Sequence, residues 1–584
     1  MVIAPMTLRS AFAGWLAALT LAACGGSAQP VPLNTPTPGP STAPTGADPA
    51  TTAGAAAQPA PTLPPDQVTP LPEAAGYWVA PGVPYTLVDR VAPVLEEAGL
   101  DRVESPEAAI VRLVLNPGPD ASLRARWVYA LAGPFATVPD GVSWAGFESY
   151  WAEGAADALP GFGAPPGVVL TPDAFEMLSA RLGPPAGGLP LQVVDPAGAA
   201  DLAWGVRPAI SVLPFDALTP RWKPLALDGA SVLDRALNVD AYPLTAEVGV
   251  EATGGRAAQV VSGLGARGVW PSTNRDPGRI TNVVVTGVTA LVRATAKIME
   301  TRGVDYPAQA ILPFFADADV LHTSNEVAFS PDCPAPEWTG PPQDFCSPVA
   351  DAALLDHIGL DVVELTGNHV KDWSVDALSY TLNLYDEKGI PYYGGGRDLE
   401  DARQPAILTS PDGTRIAFVG CNDPGPWGAF AGEDLPGAAP CDDWAWITEE
   451  IRALKANGEA DLVIATVQYW ELPSYSPSAE QIEDFARLAE AGADIVSGSQ
   501  AHQPQGFGYA DGAFIHYGVG NLFFDQMDYI ENRQMFADKH VLYEGRHIAT
   551  VLFTGLMEDW AQPNPMSAED RAAFLQLIFE SSNW

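Results

Sequence analysis

Short apolar runs alternate with longer amphipathic stretches along most of this chain. Ala109–Leu115 and Arg126–Leu131 read as strands, and Leu87–Ala98 and Thr171–Leu182 carry the spacing of helices. Ala209–Phe215 and Trp222–Gly229 follow as further apolar runs. From Thr281 the alternation becomes regular. Thr281–Thr286, Asp361–Leu365, Arg415–Val419, Asp461–Tyr469, Asp494–Ser497 and Ala513–Tyr517 are strand-like. Val288–Thr301, Val349–Ile358, Val375–Lys388, Ser478–Ala491 and Ser567–Phe579 are helix-like, and Ser478-Ala479-Glu480-Gln481 has the form of a capping box. Strands alternating with helices predict an α/β layered fold.

The ends of the pattern divide the chain. Arg9 precedes an apolar run, Ala11–Leu21, too short to span a bilayer, which ends in Leu21-Ala22-Ala23-Cys24. This resembles a bacterial lipobox. Residues 1–24 are therefore expected to be a signal peptide, with Cys24 lipidated and holding the protein on the extracytoplasmic side of the membrane. Residues 25–75 are rich in Pro, Thr, Ala and Gly and read as a disordered tether. Residues 76–253 form a first α/β region. Its strand ending in Leu213-Pro214-Phe215, followed by Leu227-Asp228-Gly229, is similar to a periplasmic solute-binding fold. Such a region is either a ligand cleft or a packing domain. The Gly-rich 254–280 reads as a linker, 281–530 as a second α/β domain, and 531–584 as a C-terminal extension with a helix.

Composition narrows the partners. The 584 residues carry a formal net charge of −41, which excludes a nucleic-acid binder, since phosphate contacts need clustered Lys and Arg. Apart from Cys24, the cysteines are Cys333, Cys346, Cys421 and Cys441, an even set in an exported chain. The local pairs Cys333–Cys346 and Cys421–Cys441 are the simplest of the three connectivities. No spacing among them matches structural zinc. His322, His357 and His516 stand in apolar runs and read as core histidines, while His540 and His547 carry no signal. Trp427, Trp444 and Trp446 read as packing around the Cys421–Cys441 loop, with a polymer-stacking face as the alternative.

Chemistry gathers where strands end. Asn325-Glu326, Thr366-Gly367-Asn368-His369 with Asp372, Gln468-Tyr469-Trp470-Glu471, Gln500-Ala501-His502 and Gly520-Asn521 each follow a strand-like run. In α/β folds those ends carry the ligand groups. Asn, His and carboxylate from separate strands suit a divalent metal that polarises a phosphoryl or carbonyl oxygen.

Gly367-Asn368-His369…Asp372 resembles the Asn-Asn-His loop of CapA-like poly-γ-glutamate capsule proteins, relatives of the calcineurin-like metallophosphatases. Asn325-Glu326, Tyr393-Gly394-Gly395-Gly396-Arg397, Pro477–Gln481 and Gly520–Phe524 resemble further elements of that family, in its order. The resemblance implies a layered metallophosphatase-like sandwich. It also implies a role in synthesising or attaching an anionic envelope polymer, and a metal site. Three positions depart from the pattern. Val288 replaces the first metal aspartate, Gln468 the histidine of His-Trp-Gly, and Gln500 the first histidine of His-Pro-His.

The retained metal set is Glu326, Asn368, His369 and His502, holding one Mn, Fe or Zn. His369 and His502 are the catalytic candidates. Asp372, Gln468, Gln500 and Asn521 would lie behind them or touch substrate. This leaves two readings, a metal-dependent hydrolase or transferase with a reduced site, or a non-catalytic polymer- or solute-binding lipoprotein on a degenerate scaffold. The expected partners are an envelope polymer or glycan and, through Cys24, the membrane.

Overall fold

The computed structural model describes residues 76–338 and 345–584. The signal peptide, Cys24 and the tether lie outside the described residues.

In the first region, strands run in the order Gly76–Val79, Ala109–Leu115, Thr245–Ala252, Leu123–Pro134, Ala209–Pro214, Gly167–Leu170, Leu191–Val193. Helices Tyr85–Glu97 and Gly255–Ala266 bury Leu87, Val91, Leu95 and Ala257, Val261, Leu264 in its core. The second of these helices corrects the linker expected at 254–280. Its glycines lower helix propensity, but the three buried side chains recur at helical spacing and packing prevails.

The second region holds two facing sheets. In one, Tyr392–Tyr393, Val362–Glu364, Val320–Asn325, Ile280–Thr286, Gln534–Tyr543, Arg546–Glu558 and Gln562–Pro565 lie side by side. In the other the order is Ala406–Thr409, Arg415–Asn422, Leu462–Gln468, Ile495–Gly498, Ala513–His516, Phe507–Ala510. Alternate residues face opposite ways along a strand. Val283, Val285, Val320 and Val362 therefore meet Ile416, Phe418, Leu462, Ile464 and Ile495 between the sheets. Val284, Leu321 and Val363 turn outward onto a helical layer with Leu354, Leu378, Leu382 and Tyr385. Val419, Val463, Ala465 and Val496 do the same against Ile447, Ile451, Phe485 and Leu488. The result is a helix–sheet–sheet–helix sandwich, an α/β fold as the strand and helix alternation predicts.

Three expectations change. Strand Gln534–Tyr543 inserts between Ile280–Thr286 and Arg546–Glu558, so 531–584 is part of the sandwich rather than an extension. The helix expected at Val288–Thr301 is preceded by a two-residue strand, Val288–Thr289, and begins at Arg293. His357 is exposed on the helix Ala353–Ile358, whereas His322 and His516 are buried, as are His540 and His547. The first region also reaches into the sandwich. Phe135 packs edge-on against Phe507 and Phe514, and Arg571 pairs with Asp140.

Candidate functional site

The parallel strands of both sheets end on one rim, because side chains from the two sheets bond across it. Asn422 Nδ2 donates to Thr366 O at 2.8 Å, and Gln468 Nε2 donates to Asn368 Oδ1 at 3.1 Å. Below them, Ser499 Oγ donates to the fully buried Glu364 at 2.9 Å, as does Thr366 Oγ1. Glu364 faces His322, and Tyr393 OH bonds both His322 and Thr466. This polar layer locks the two sheets in register under the strand-end loops.

Two glycines set the approach of the loops. A Cβ on Gly367 would stand 2.8 Å from Glu326 Cα, so only glycine lets the Asn368-His369 loop lie on Glu326. A Cβ on Gly287 would stand 1.8 Å from Gly520 O, which presses the start of the domain against the Asn521 strand.

At the centre is His502, whose backbone has φ of 51°, in the left-handed region that side chains rarely occupy. Its neighbours define its tautomer. Asn521 Nδ2 donates to His502 O, Asn532 O and Gln526 Oε1, which leaves Asn521 Oδ1 to accept from His502 Nδ1 at 2.7 Å. The Nε2 lone pair of His502 therefore points into the site. There it stands 3.7 Å from Glu326 Oε1, 3.7 Å from Glu471 Oε1 and 3.2 Å from Gln500 Nε2. Gln500 Nε2 also donates to Glu471 Oε1 at 3.0 Å. Glu326 is 1% exposed, and neither of its oxygens has a partner; Gln468 Oε1 and Gln500 Oε1 are unpartnered too.

His369 lies on the same rim but faces differently. Its Nδ1 bonds Asp372, and its ring meets Phe345 edge-on at 4.9 Å. Burial pulls its pKa down, but the hydrogen bond to Asp372 and the charges of Glu326, Asp372 and Glu471 outweigh that and leave it above the ordinary histidine value.

Of the expected metal set, the structure thus places Glu326 and His502 against each other. Asn368 Oδ1 accepts from Gln468, and His369 engages Asp372 through Nδ1 alone. Val288 is fully buried in an apolar cluster with Val327, Phe345 and Phe524. A two-ion centre does not fit, since a hydrocarbon side chain fills the position of one ligand and amides stand at two others. Glu326 and His502 are the two donors that face each other, and among the described residues no group of three or more His, Cys, Asp or Glu is placed to hold a metal ion.

Some participants were not singled out from sequence. Glu471 stands at the end of the Gln468–Glu471 loop without a motif of its own. Arg293 lies between the rings of Phe345 and Phe524, pairs with Asp525 and, like His502, has positive φ, here 44°. Those two rings pack on His369 and His502 respectively. Aromatic residues on separate loops gave no periodic signal. Both expected disulfides are present, Cys333–Cys346 and Cys421–Cys441. Trp444 is buried beside the second, whereas Trp427 is 88% exposed.

Comparison with known proteins agrees with this reading of the sandwich. Residues 282–526 match the family model "Bacterial capsule synthesis protein PGA_cap". The chain is 23% identical over 316 residues to "Capsule biosynthesis protein CapA" of Bacillus anthracis, covering 54% of this chain and 76% of that one. It is 25% identical over 236 residues to "PGA biosynthesis protein CapA" of Bacillus subtilis (strain 168), covering 40% and 60%. It therefore spans about three-fifths of the length of the second relative.

Among solved structures, a 5'-nucleotidase from Candida albicans SC5314 is 10% identical with a TM-score of 0.29, covering 51% of this chain and 54% of that one. An ABC-type phosphate transport receptor from Vibrio cholerae is 8% identical with a TM-score of 0.28, covering 33% and 96%. Neither likeness is close enough to bear on function. Over residues 282–526, where the sandwich presents its strand-end loops, this chain is similar to the bacterial capsule synthesis proteins of the PGA_cap and CapA type.

Proposed function

We propose that the protein takes part in the synthesis or attachment of a bacterial envelope polymer of the capsule or poly-glutamate type, tethered outside the membrane through lipidated Cys24. Among the described residues no helix is long and apolar enough to cross a membrane, so anchoring in this reading rests on the lipid. The rim around His502 is read as a ligand-binding site. The observation that carries this is Glu326, buried with both oxygens unpartnered opposite the lone pair of His502. An unpartnered buried carboxylate costs on the order of 1–3 kcal/mol or more. A bound group that donates to it would offset that cost.

The same observation favours a second reading, in which one Mn, Fe or Zn ion is held by Glu326 and His502 and the protein is a hydrolase or transferase. When bound, such an ion polarises a phosphoryl or carbonyl oxygen and lowers the pKa of water. His502, oriented at Nδ1 by Asn521, would offer its Nε2 lone pair to that ion, and His369, paired with Asp372, would present a positive charge to the substrate. Glu326→Ala and His502→Ala variants, expressed in the producing cell in place of the native protein, test the role. The expected result is loss of the surface polymer with the variant protein still present. Undiminished polymer in both variants would overturn the proposal. Metal analysis of the purified protein separates the two readings, since a stoichiometric ion that disappears in His502→Ala selects the enzyme.

A further inference from the structure

Beside the His502 site lies a cavity of about 440 Å³, within the usual size of small-molecule sites. Its lining includes Glu471, Tyr475, Gln503, Tyr529 and Glu531. Glu471 belongs to both, since it faces the cavity and stands 3.7 Å from His502 Nε2. Gln503 adjoins His502 along the chain. Tyr529, on the cavity lining, is 69% exposed, and Trp470, next to Glu471 along the chain, is 53% exposed with its Nε1 donating to Asp423.

Acceptors without partners stand at this rim: both oxygens of Glu326, Gln468 Oε1 and Gln500 Oε1. The formal charges facing the rim are carboxylates, Glu326, Glu471 and Glu531. Of three cations on the neighbouring loops, one is ion-paired and two are held by backbone carbonyls. Arg293 pairs with Asp525, Lys371 Nζ donates to Phe430 O, and Arg533 Nε donates to Met557 O. An anion would meet Glu326, Glu471 and Glu531 here, with His369 bonded to Asp372, on a chain of net charge −41.

From this geometry we propose that the site receives the amine-bearing part of a glycan, a hexosamine unit with a free primary amine, rather than the carboxylates of an anionic polymer. The proposal rests on the ligand-binding reading of the His502 site. A protonated primary amine brings three N–H donors and a positive charge, which answer the unpartnered Glu326 oxygens and the adjacent amide oxygens. The sugar ring then extends past Glu471 into the cavity, where Tyr529 offers a face for its C–H side and Gln503 and Asn532 offer polar contacts to hydroxyls. In polymer attachment, such an amine is the acceptor side of the junction.

The test is calorimetric titration of the purified full chain, without added metal, at a pH where glucosamine amines are protonated. The probes are a β-1,4-linked glucosamine hexamer, its fully N-acetylated counterpart and poly-γ-glutamate. The expected result is binding of the free-amine hexamer at least tenfold tighter than the acetylated one, no binding of poly-γ-glutamate, and a loss of about tenfold in Glu471→Gln. Glu471 is largely solvent-facing, and Trp470→Ala supplies a second variant that leaves the charge unchanged. Equal binding of both hexamers, or preference for poly-γ-glutamate with or without a divalent ion, overturns the amine assignment while leaving a ligand-binding site in place. Binding of none of the three overturns both.

Discussion

At the scale of single residues, the site is built from side chains whose individual preferences are unfavourable. His502 and Arg293 occupy left-handed backbone conformations, and Glu326 is buried as an unpartnered carboxylate. Functional sites are where such costs persist. Glu326→Gln should therefore raise stability, by about 1–3 kcal/mol in urea unfolding, while abolishing ligand binding. Unchanged or lower stability would show that the carboxylate already has a partner in solution. Gly367→Ala should act in the opposite sense. Its Cβ meets backbone at Glu326, which cannot yield as a flexible side chain would, so a cost of about 1–3 kcal/mol and a displaced Asn368-His369 loop are expected. Thermal unfolding and the His369 imidazole NMR signals would report the two effects. The residue types at the site were legible in the sequence. That Asn368 bonds Gln468, and that His369 turns to Asp372, was not, because each depends on a rotamer chosen by packing.

At the scale of elements, the long amphipathic segments were the most legible. The run Val375–Lys388 is a helix with the bounds its periodicity gives, and Ser478 caps Ala479–Glu490 by accepting from Gln481 N. The other half of that capping box is not used, since Gln481 donates its side-chain amide to Gln505 and Tyr517 O. Strand Val288–Thr289 was read into a helix because two residues carry no period; it exists only through its neighbours Ser324-Asn325 and Asn521. The Cys421–Cys441 bridge joins the end of a central strand to the loop before helix Ala445–Ala456, closing a sequence separation of 20. Chain entropy assigns a loop of that size about 3 kcal/mol. The Cys421→Ser, Cys441→Ser double variant should lose roughly that much, read as a lower melting temperature that reducing agent lowers no further through this bridge. A melting temperature equal to that of the parent would show that the bridge contributes nothing.

For the whole molecule, the seam between the two sheets carries a set of buried histidines. Burial pulls His547 down to about 3, and burial together with His547 and His516 holds His540 well below the ordinary value. The unfolded chain takes up these protons near pH 6.5, whereas the folded chain resists them, at His547 until about pH 3, so the unfolded state binds more protons below pH 6.5. The contribution of these two histidines to stability should be flat above about pH 6.5 and fall as pH drops below it. His547→Gln should flatten that fall, measured as melting temperature from pH 8 to pH 4; an identical slope in the variant would place the acid sensitivity elsewhere. By itself the sequence determined the α/β class, the order of most elements, the local cysteine pairs and the residue types at the strand ends, because each is written in local periodicity or short spacing. Tertiary structure alone decided that Gln534–Tyr543 lies beside Ile280–Thr286, that a Gly-rich stretch becomes a packed helix, and that Glu326, His502 and Glu471 face one another. Those outcomes depend on which distant surfaces bury each other, and a one-dimensional pattern specifies that a face is apolar without specifying what covers it.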